Sequence, residues 1–123
     1  MAVPRILFAV PVLALGLVLP TAGSAVKQPA SGVLGMSHEH YTSDVVMVHR
    51  GDTLTMQNNS RFAHTVGPGK DGHLADAAGV PVSGPHLMQT NDVYTTGRWN
   101  TPGTYTLTCS VHPEMTVRVI VTG

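Results

Sequence analysis

Near the C-terminus two stretches of alternating character flank a short connection, and this pattern constrains the chain more than any other. Before the connection, Tyr105, Leu107 and Cys109 fall on one face while Thr104, Thr106 and Thr108 fall on the other. After it, Met115, Val117, Val119 and Val121 again share a face. Side chains alternate along an extended strand, so each run reads as a half-buried β-strand. Cys109 points the way of the apolar residues before it, and Met115 the way of the valines after it. Both sulfurs therefore cap one core, and His112 sits midway in the connection, where it folds over the end of the layers and turns an imidazole edge to solvent.

The connection, Cys109-Ser110-Val111-His112-Pro113-Glu114-Met115, spaces the chain's only thiol, an imidazole and a thioether three residues apart. A thiolate and imidazoles with a weak axial thioether form a donor set that accommodates both Cu(I) and Cu(II) with little rearrangement. A loop this short cannot close a coordination shell alone, so a further imidazole must come from upstream. The candidates are His38, His40, His49, His64, His73 and His86. His64 is the best of them, because it follows an alternating stretch and precedes Thr65-Val66, where a scaffold can hold it rigidly. His49, beside Arg50 and a turn, and His73 fit an ordinary surface role. Zinc is disfavoured because thioether is a poor ligand for it, and a binuclear copper centre would need a second thiolate. Cys109 and His112 as nucleophile and base are also disfavoured: a tight strand-to-loop connection chelates a metal more readily than it builds a nucleophile, a base and an oxyanion site.

Elsewhere, Ser43 to Val48 is β-branched and apolar, Gly51-Asp52 punctuates it, and Thr53 to Gln57 alternates with Leu54 and Met56 on one face. Gly67 to Asp92 reads chiefly as loop, with a short helical turn expected around Leu74 to Ala78 and stopped by Gly79. Thr101-Pro102-Gly103-Thr104 has Pro and Gly where a type II turn wants them. With 123 residues and no internal repeat, the chain has room for one domain, expected to be an all-β, antiparallel Greek-key sandwich.

The N-terminus reads as an export signal. Arg5 supplies the positive charge, Ile6 to Leu19 is almost wholly apolar, and Ala22-Gly23-Ser24-Ala25 offers the small residues a signal peptidase cuts after. The apolar run is short of the roughly 20 residues of a spanning helix and contains Pro11. No cysteine follows it to carry a lipid. The expected division is 1–25 signal peptide, 26–42 linker or ragged first strand, and 43–123 copper-binding domain. Removing Arg5 from seven Lys and Arg leaves six, against seven Asp and Glu. With no basic stripe or basic amphipathic helix, neither nucleic acid nor an anionic membrane is an expected partner. A lone thiol in an exported chain needs protection from oxidation or a task, and metal ligation is such a task.

Val48 to Asn58, His64-Thr65-Val66 and the run from Trp99 to Met115 together resemble the cupredoxin family, particularly its plastocyanin and amicyanin branch, over most of the mature chain. The tight Cys-x-x-His-x-x-Met loop is similar to that of amicyanins. The resemblance implies one type 1 copper ion with His64, Cys109, His112 and Met115 as ligands, and a hydrogen bond from the Thr65 backbone N–H to the thiolate. It also implies a single-electron carrier without turnover of its own, monomeric and exported to the periplasm, cell surface or medium. Redox partners are expected to dock transiently near His112, on Phe62, Ala63, Pro113 and Pro68. Glu114 and Thr116-Val117 depart from the usual loop, and Glu114 is expected to favour Cu(II). A rival reading is copper storage or delivery, motivated by Met36, His38 and His40 in one segment and His86 and Met88 in another.

Overall fold

The structure, a computed structural model, describes residues 30–123; the expected signal segment, 1–25, lies outside the described residues. Ten strands follow one another: β1 (Ala30–Ser31), β2 (Val33–Met36), β3 (Val45–His49), β4 (Thr55–Asn58), β5 (His64–Lys70), β6 (His73–Leu74), β7 (His86–Met88), β8 (Val93–Thr95), β9 (Gly103–Thr108) and β10 (Thr116–Thr122). They form one sheet in the order β1-β3-β10-β9-β5-β6, with β7 also paired to β5, and a second in the order β2-β4-β8. The all-β expectation holds. Not every ladder is antiparallel, however: β1 with β3, β3 with β10 and β2 with β4 run parallel.

The alternation read from the C-terminal third is the alternation observed. Val117, Val119 and Val121 of β10 are buried and Arg118 is exposed. Across the parallel ladder, Val119 stands beside Val46 and Val121 beside Val48; across the antiparallel one, Val117 faces Leu107. Leu34, Met36 and Met56 supply the opposite wall from the second sheet, and Trp99 fills the space between, its indole N–H donating to Thr96 Oγ1 at 2.9 Å. These faces meet because each sheet carries its apolar residues on one side and water is excluded only when the two are stacked.

One segment is settled between its two alternatives, and another differs from expectation. The stretch expected to be a linker or ragged first strand contributes β1 and β2, and Leu34 and Met36 are core residues. Gly35, which gave the segment its loop-like look, lies so close to Thr42 that an added Cβ would come within 2.8 Å of its side chain. The helical turn expected at Leu74 to Ala78 is absent; Leu74 instead pairs with Gly69 in β6. Its cause is the turn just before it. Asp71 and Gly72 both adopt positive φ, 51° and 82°, as a two-residue type I′ hairpin requires, and Asp-Gly is a preferred pair for that turn. The chain reverses there before a helix can start.

Leu107 is fully buried on β9, two residues before Cys109. Leu107→Ala is expected to cost about 2–5 kcal/mol of stability, read as a lower denaturation midpoint with an unchanged denaturant slope.

Candidate metal centre

The pairing of β9 with β10 places the two sulfur residues expected as ligands, Cys109 and Met115. Thr108 is opposite Thr116 and Leu107 opposite Val117, so continuing the ladder brings Cys109 and Met115 together at its open end. The Cys109 backbone N–H donates to the Met115 carbonyl at 3.0 Å, and the Met115 N–H to the His112 carbonyl at 2.9 Å. Those two bonds pin the connection into a compact loop. Both sulfur residues are fully buried, as their faces predict. The hairpin tip supports the loop from outside: the Asp71 N–H donates to Thr116 Oγ1 and the Gly72 N–H to Thr108 Oγ1. A Cβ at Gly72 would meet Pro113 at 3.0 Å, so glycine is needed there for close approach as well as for φ.

His64 begins β5 opposite Met88 and is fully buried. Its Nε2 lies 3.0 Å from the Ser37 carbonyl oxygen and 3.0 Å from Ser60 Oγ. A carbonyl only accepts, so Nε2 carries the proton and the Nδ1 lone pair is free. Nδ1 faces the thiol, 3.9 Å from Cys109 Sγ. Ser60 is itself oriented: its Oγ–H donates to Asn58 Oδ1 at 2.7 Å, while Asn58 Nδ2 donates to the Phe62 and Met88 carbonyls. Such outer partners fix the tautomer and orientation of an imidazole that binds metal through its other nitrogen. Burial pushes His64 below the ordinary imidazole range, the neighbouring His112 adds to this and His38 adds a little more, while the bond to Ser37 pulls the opposite way.

The Thr65 backbone N–H points at Cys109 Sγ at 3.4 Å, and its hydroxyl lies 3.8 Å from the same sulfur. The Ser110 N–H donates to Thr65 Oγ1 at 3.0 Å, and the two hydroxyls are 2.8 Å apart. The strand carrying His64 is thereby clamped to the loop carrying Cys109. The hydrogen bond to sulfur implied by the family resemblance is thus observed.

His112 is half-buried, and its Nδ1 is a buried nitrogen without any hydrogen-bond partner. A buried polar atom left unpaired is costly, and a metal ion would satisfy this one. The His112 ring stands 4.9 Å from that of His64. One ligand atom from each of His64, Cys109 and His112 lies within 4.8 Å of the others, a cluster that can hold a metal ion. A soft thiolate with two imidazoles and a neighbouring thioether suits copper, and the group points to one copper ion. Beside His112 lie Phe62 at 6.3 Å between ring centroids, half exposed, and exposed Val111 and Pro113. Ala63 is exposed too, but Pro68 is buried and cannot join a docking surface.

Of the other histidines, His49 is exposed and bonded to Thr122 Oγ1, His73 is exposed on β6, and His86 stacks on Tyr94 at 3.9 Å. His38 and His40 are exposed, with His38 edge-on to Phe62 at 4.7 Å. Met36 and Met88, which helped motivate the storage or delivery reading, are core residues. Sequence reasoning did not find Ser37, Asn58 and Ser60. The turn-prone Asn58-Asn59-Ser60 was visible, but nothing local tied it to His64.

No protein-family model matches the sequence, and a search of curated proteins finds no match. Solved structures do match. Amicyanin from Paracoccus versutus is similar at 28% identity with a TM-score of 0.60, over 78% of this chain and 86% of its own. A reduced amicyanin variant is similar at 29% identity with a TM-score of 0.59, over 75% of this chain and 82% of its own. A purple cupredoxin from Nitrosopumilus maritimus has a TM-score of 0.59 over 74% of this chain and 99% of its own; at 18% identity that likeness is one of fold.

The depressed His64 value has a consequence for the metal-free protein. An unfolded chain binds a proton at this imidazole near the ordinary value of about 6.5, whereas the folded chain resists it. The contribution is therefore fully present above about pH 6.5 and is lost as pH falls toward the lower folded value. Melting temperature of the metal-free protein should drop across this range, and His64→Gln should flatten the drop.

Proposed function

We propose that this chain, a cupredoxin in its fold and in its His-Cys-His cluster, carries single electrons between redox proteins through one type 1 copper ion ligated by His64, Cys109, His112 and Met115. The observation that carries this reading is the convergence of three donor atoms within 4.8 Å, one of them the chain's only thiol. The free Nδ1 atoms of both histidines support it, as does the buried Met115 at the end of the same ladder. Copper, when bound, supplies the Cu(II)/Cu(I) couple.

The protein's own part is to keep the donors still. His64 is held by Ser37 and Ser60, Cys109 by Thr65 and the Met115 carbonyl, and Met115 by the packed valines of β10. Donors that do not move between oxidation states make electron transfer fast. The Thr65 N–H draws charge from the thiolate and so favours the reduced state. His112, half-buried at the surface among Phe62, Ala63, Val111 and Pro113, is the route by which an electron enters and leaves. Its surround is mainly apolar and the net charge of the mature chain is small, so docking is weak and short-lived rather than steered over a distance.

The domain proposed for this task is 43–123 together with β1 and β2, which pack in its core and carry Ser37 toward His64; it is proposed to be monomeric and exported after loss of 1–25, working in the periplasm, at the cell surface or outside the cell. Among the described residues no helix is long and apolar enough to cross a membrane. Catalytic turnover by the chain itself forms no part of this reading. The storage or delivery reading is weakened by the burial of Met36 and Met88, which takes the thioethers out of the two segments.

An absorption spectrum of the copper-loaded protein tests the proposal. An intense visible thiolate-to-Cu(II) band at one copper per chain, lost on reduction and abolished by Cys109→Ser, is expected; absence of the band sinks the assignment, and a second exchangeable copper would favour delivery. Glu114 is exposed, so its effect on the copper is screened by water and salt. Glu114→Gln should raise the reduction potential modestly in dilute buffer, and the difference should shrink as salt is added.

A further inference from the structure

The Thr65 hydroxyl sits between a surface residue and the buried sulfur of the centre. Its oxygen accepts the Ser110 backbone N–H at 3.0 Å, lies 2.8 Å from Ser110 Oγ, and lies 3.8 Å from Cys109 Sγ. A threonine hydroxyl has one hydrogen and two lone pairs. The Ser110 N–H takes one lone pair, so one hydrogen and one lone pair remain to be shared between a hydroxyl and a sulfur.

Those two neighbours are not equivalent. Ser110 Oγ both gives and accepts a hydrogen bond, whereas a thiolate only accepts. The pair of hydroxyls therefore has two settings. In one, Thr65 donates to Ser110 Oγ and its hydrogen is turned away from the sulfur. In the other, Ser110 Oγ–H donates to Thr65 Oγ1, and the Thr65 hydrogen is left for Cys109 Sγ. Negative charge on the sulfur favours the second setting, because a bond to an ionised acceptor is stronger than one to a neutral hydroxyl. Ser110 is exposed, Thr65 half-buried and Cys109 fully buried, so water competes for the Ser110 hydroxyl more than for the contact between Thr65 and the sulfur. Leu87 stands directly opposite Thr65 in the ladder of β5 with β7 and shares its face, an apolar neighbour to the same hydroxyl.

We propose that the Thr65 side chain is a tuning residue of the metal centre, a second hydrogen-bond donor to Cys109 Sγ beside its own backbone N–H, and that Ser110 is a positioning residue that sets how much of that bond the sulfur receives. The backbone N–H reaches the sulfur at 3.4 Å whatever the side chain does; the hydroxyl can turn. A hydrogen directed at the thiolate weakens the sulfur's donation to the metal and favours the reduced state. The sulfur is buried, so little water screens that effect. The two hydroxyls consequently act in opposite directions. That of Thr65 raises the reduction potential, and that of Ser110, by competing for the Thr65 hydrogen, lowers it. A clamp that merely fastened β5 to the loop would act in one direction only.

This inference rests on the copper reading above, and three substitutions in the full chain test it. Thr65→Val keeps the backbone N–H and the β-branch but removes the hydroxyl; it should lower the reduction potential and move the thiolate-to-Cu(II) band to longer wavelength. Thr65→Ser keeps a hydroxyl and should hold both near the parent values. Ser110→Ala keeps its N–H bond to Thr65 and leaves the sulfur without a side-chain competitor; it should raise the potential and move the band to shorter wavelength. Melting temperatures of the metal-free proteins read the clamp separately, and a loosened clamp moves Thr65→Val and Ser110→Ala the same way. Potentials that shift with the same sign in those two variants therefore overturn the proposal. So does an unchanged potential in Thr65→Val, or a Thr65→Ser protein that behaves as Thr65→Val does. Should Thr65→Val fail to fold, Ser110→Ala decides alone, and an unchanged or lowered potential there overturns the proposal. If the parent protein itself shows no thiolate band, the copper reading has failed and this inference goes with it; a normal parent band with unresponsive variants sinks this inference alone.

Discussion

The bond from the Cys109 N–H to the Met115 carbonyl closes the open end of the β9–β10 ladder, and the centre depends on it. Through it the period-two alternation of two strands becomes the positions of two sulfur residues. Leu107 opposite Val117 lies one step deeper in the same register. A slip of one residue would turn every one of these side chains to the other face, taking the thiol out of the core and the valines with it. Site geometry and core packing are therefore specified by one register.

His64 reaches the centre by a different route. It belongs to β5, which pairs with β7 over His64–Val66 and with β9 at Gly67 and Pro68. Thr65, next in sequence, holds the loop through Cys109 Sγ and Ser110. Behind the ring, Ser37, Ser60 and Asn58 form a hydrogen-bonded backing. An imidazole buried this deeply resists protonation, and it keeps one lone pair facing the thiol because its other nitrogen is occupied. A fully buried residue thus retains a free nitrogen at the centre, while the half-buried His112 opens the same centre to the surface.

How much was legible depended on whether the cause was local. Strand periodicity marked β9 and β10, the Cys-His-Met spacing marked one side of the centre, and the rigid surroundings of His64 singled it out among six upstream histidines. Leu34 and Met36 were obscured by the glycines around them, whose role is close packing and turning rather than disorder. The Leu74 segment was misread because a helix-compatible stretch followed an Asp-Gly turn whose pairing with β5 takes precedence over local preference. Met36 and Met88 resembled surface ligands in a histidine-bearing segment, yet alternation within β2 and β7 carries both inward.

The sequence by itself determined an all-β body, the faces of its C-terminal strands and the donor chemistry of the loop, because each follows from residue type at spacings of a few positions. Only the tertiary structure decided which backbone and hydroxyl groups surround those donors. Ser37, the Asn58–Ser60 turn and Gly72 come to the centre from separate turns and strands. The partners of Ser37 and Gly72 are distant in sequence, Asn58 also reaches the Met88 carbonyl, and those hydrogen bonds exist only once the two sheets have excluded water and brought the segments together.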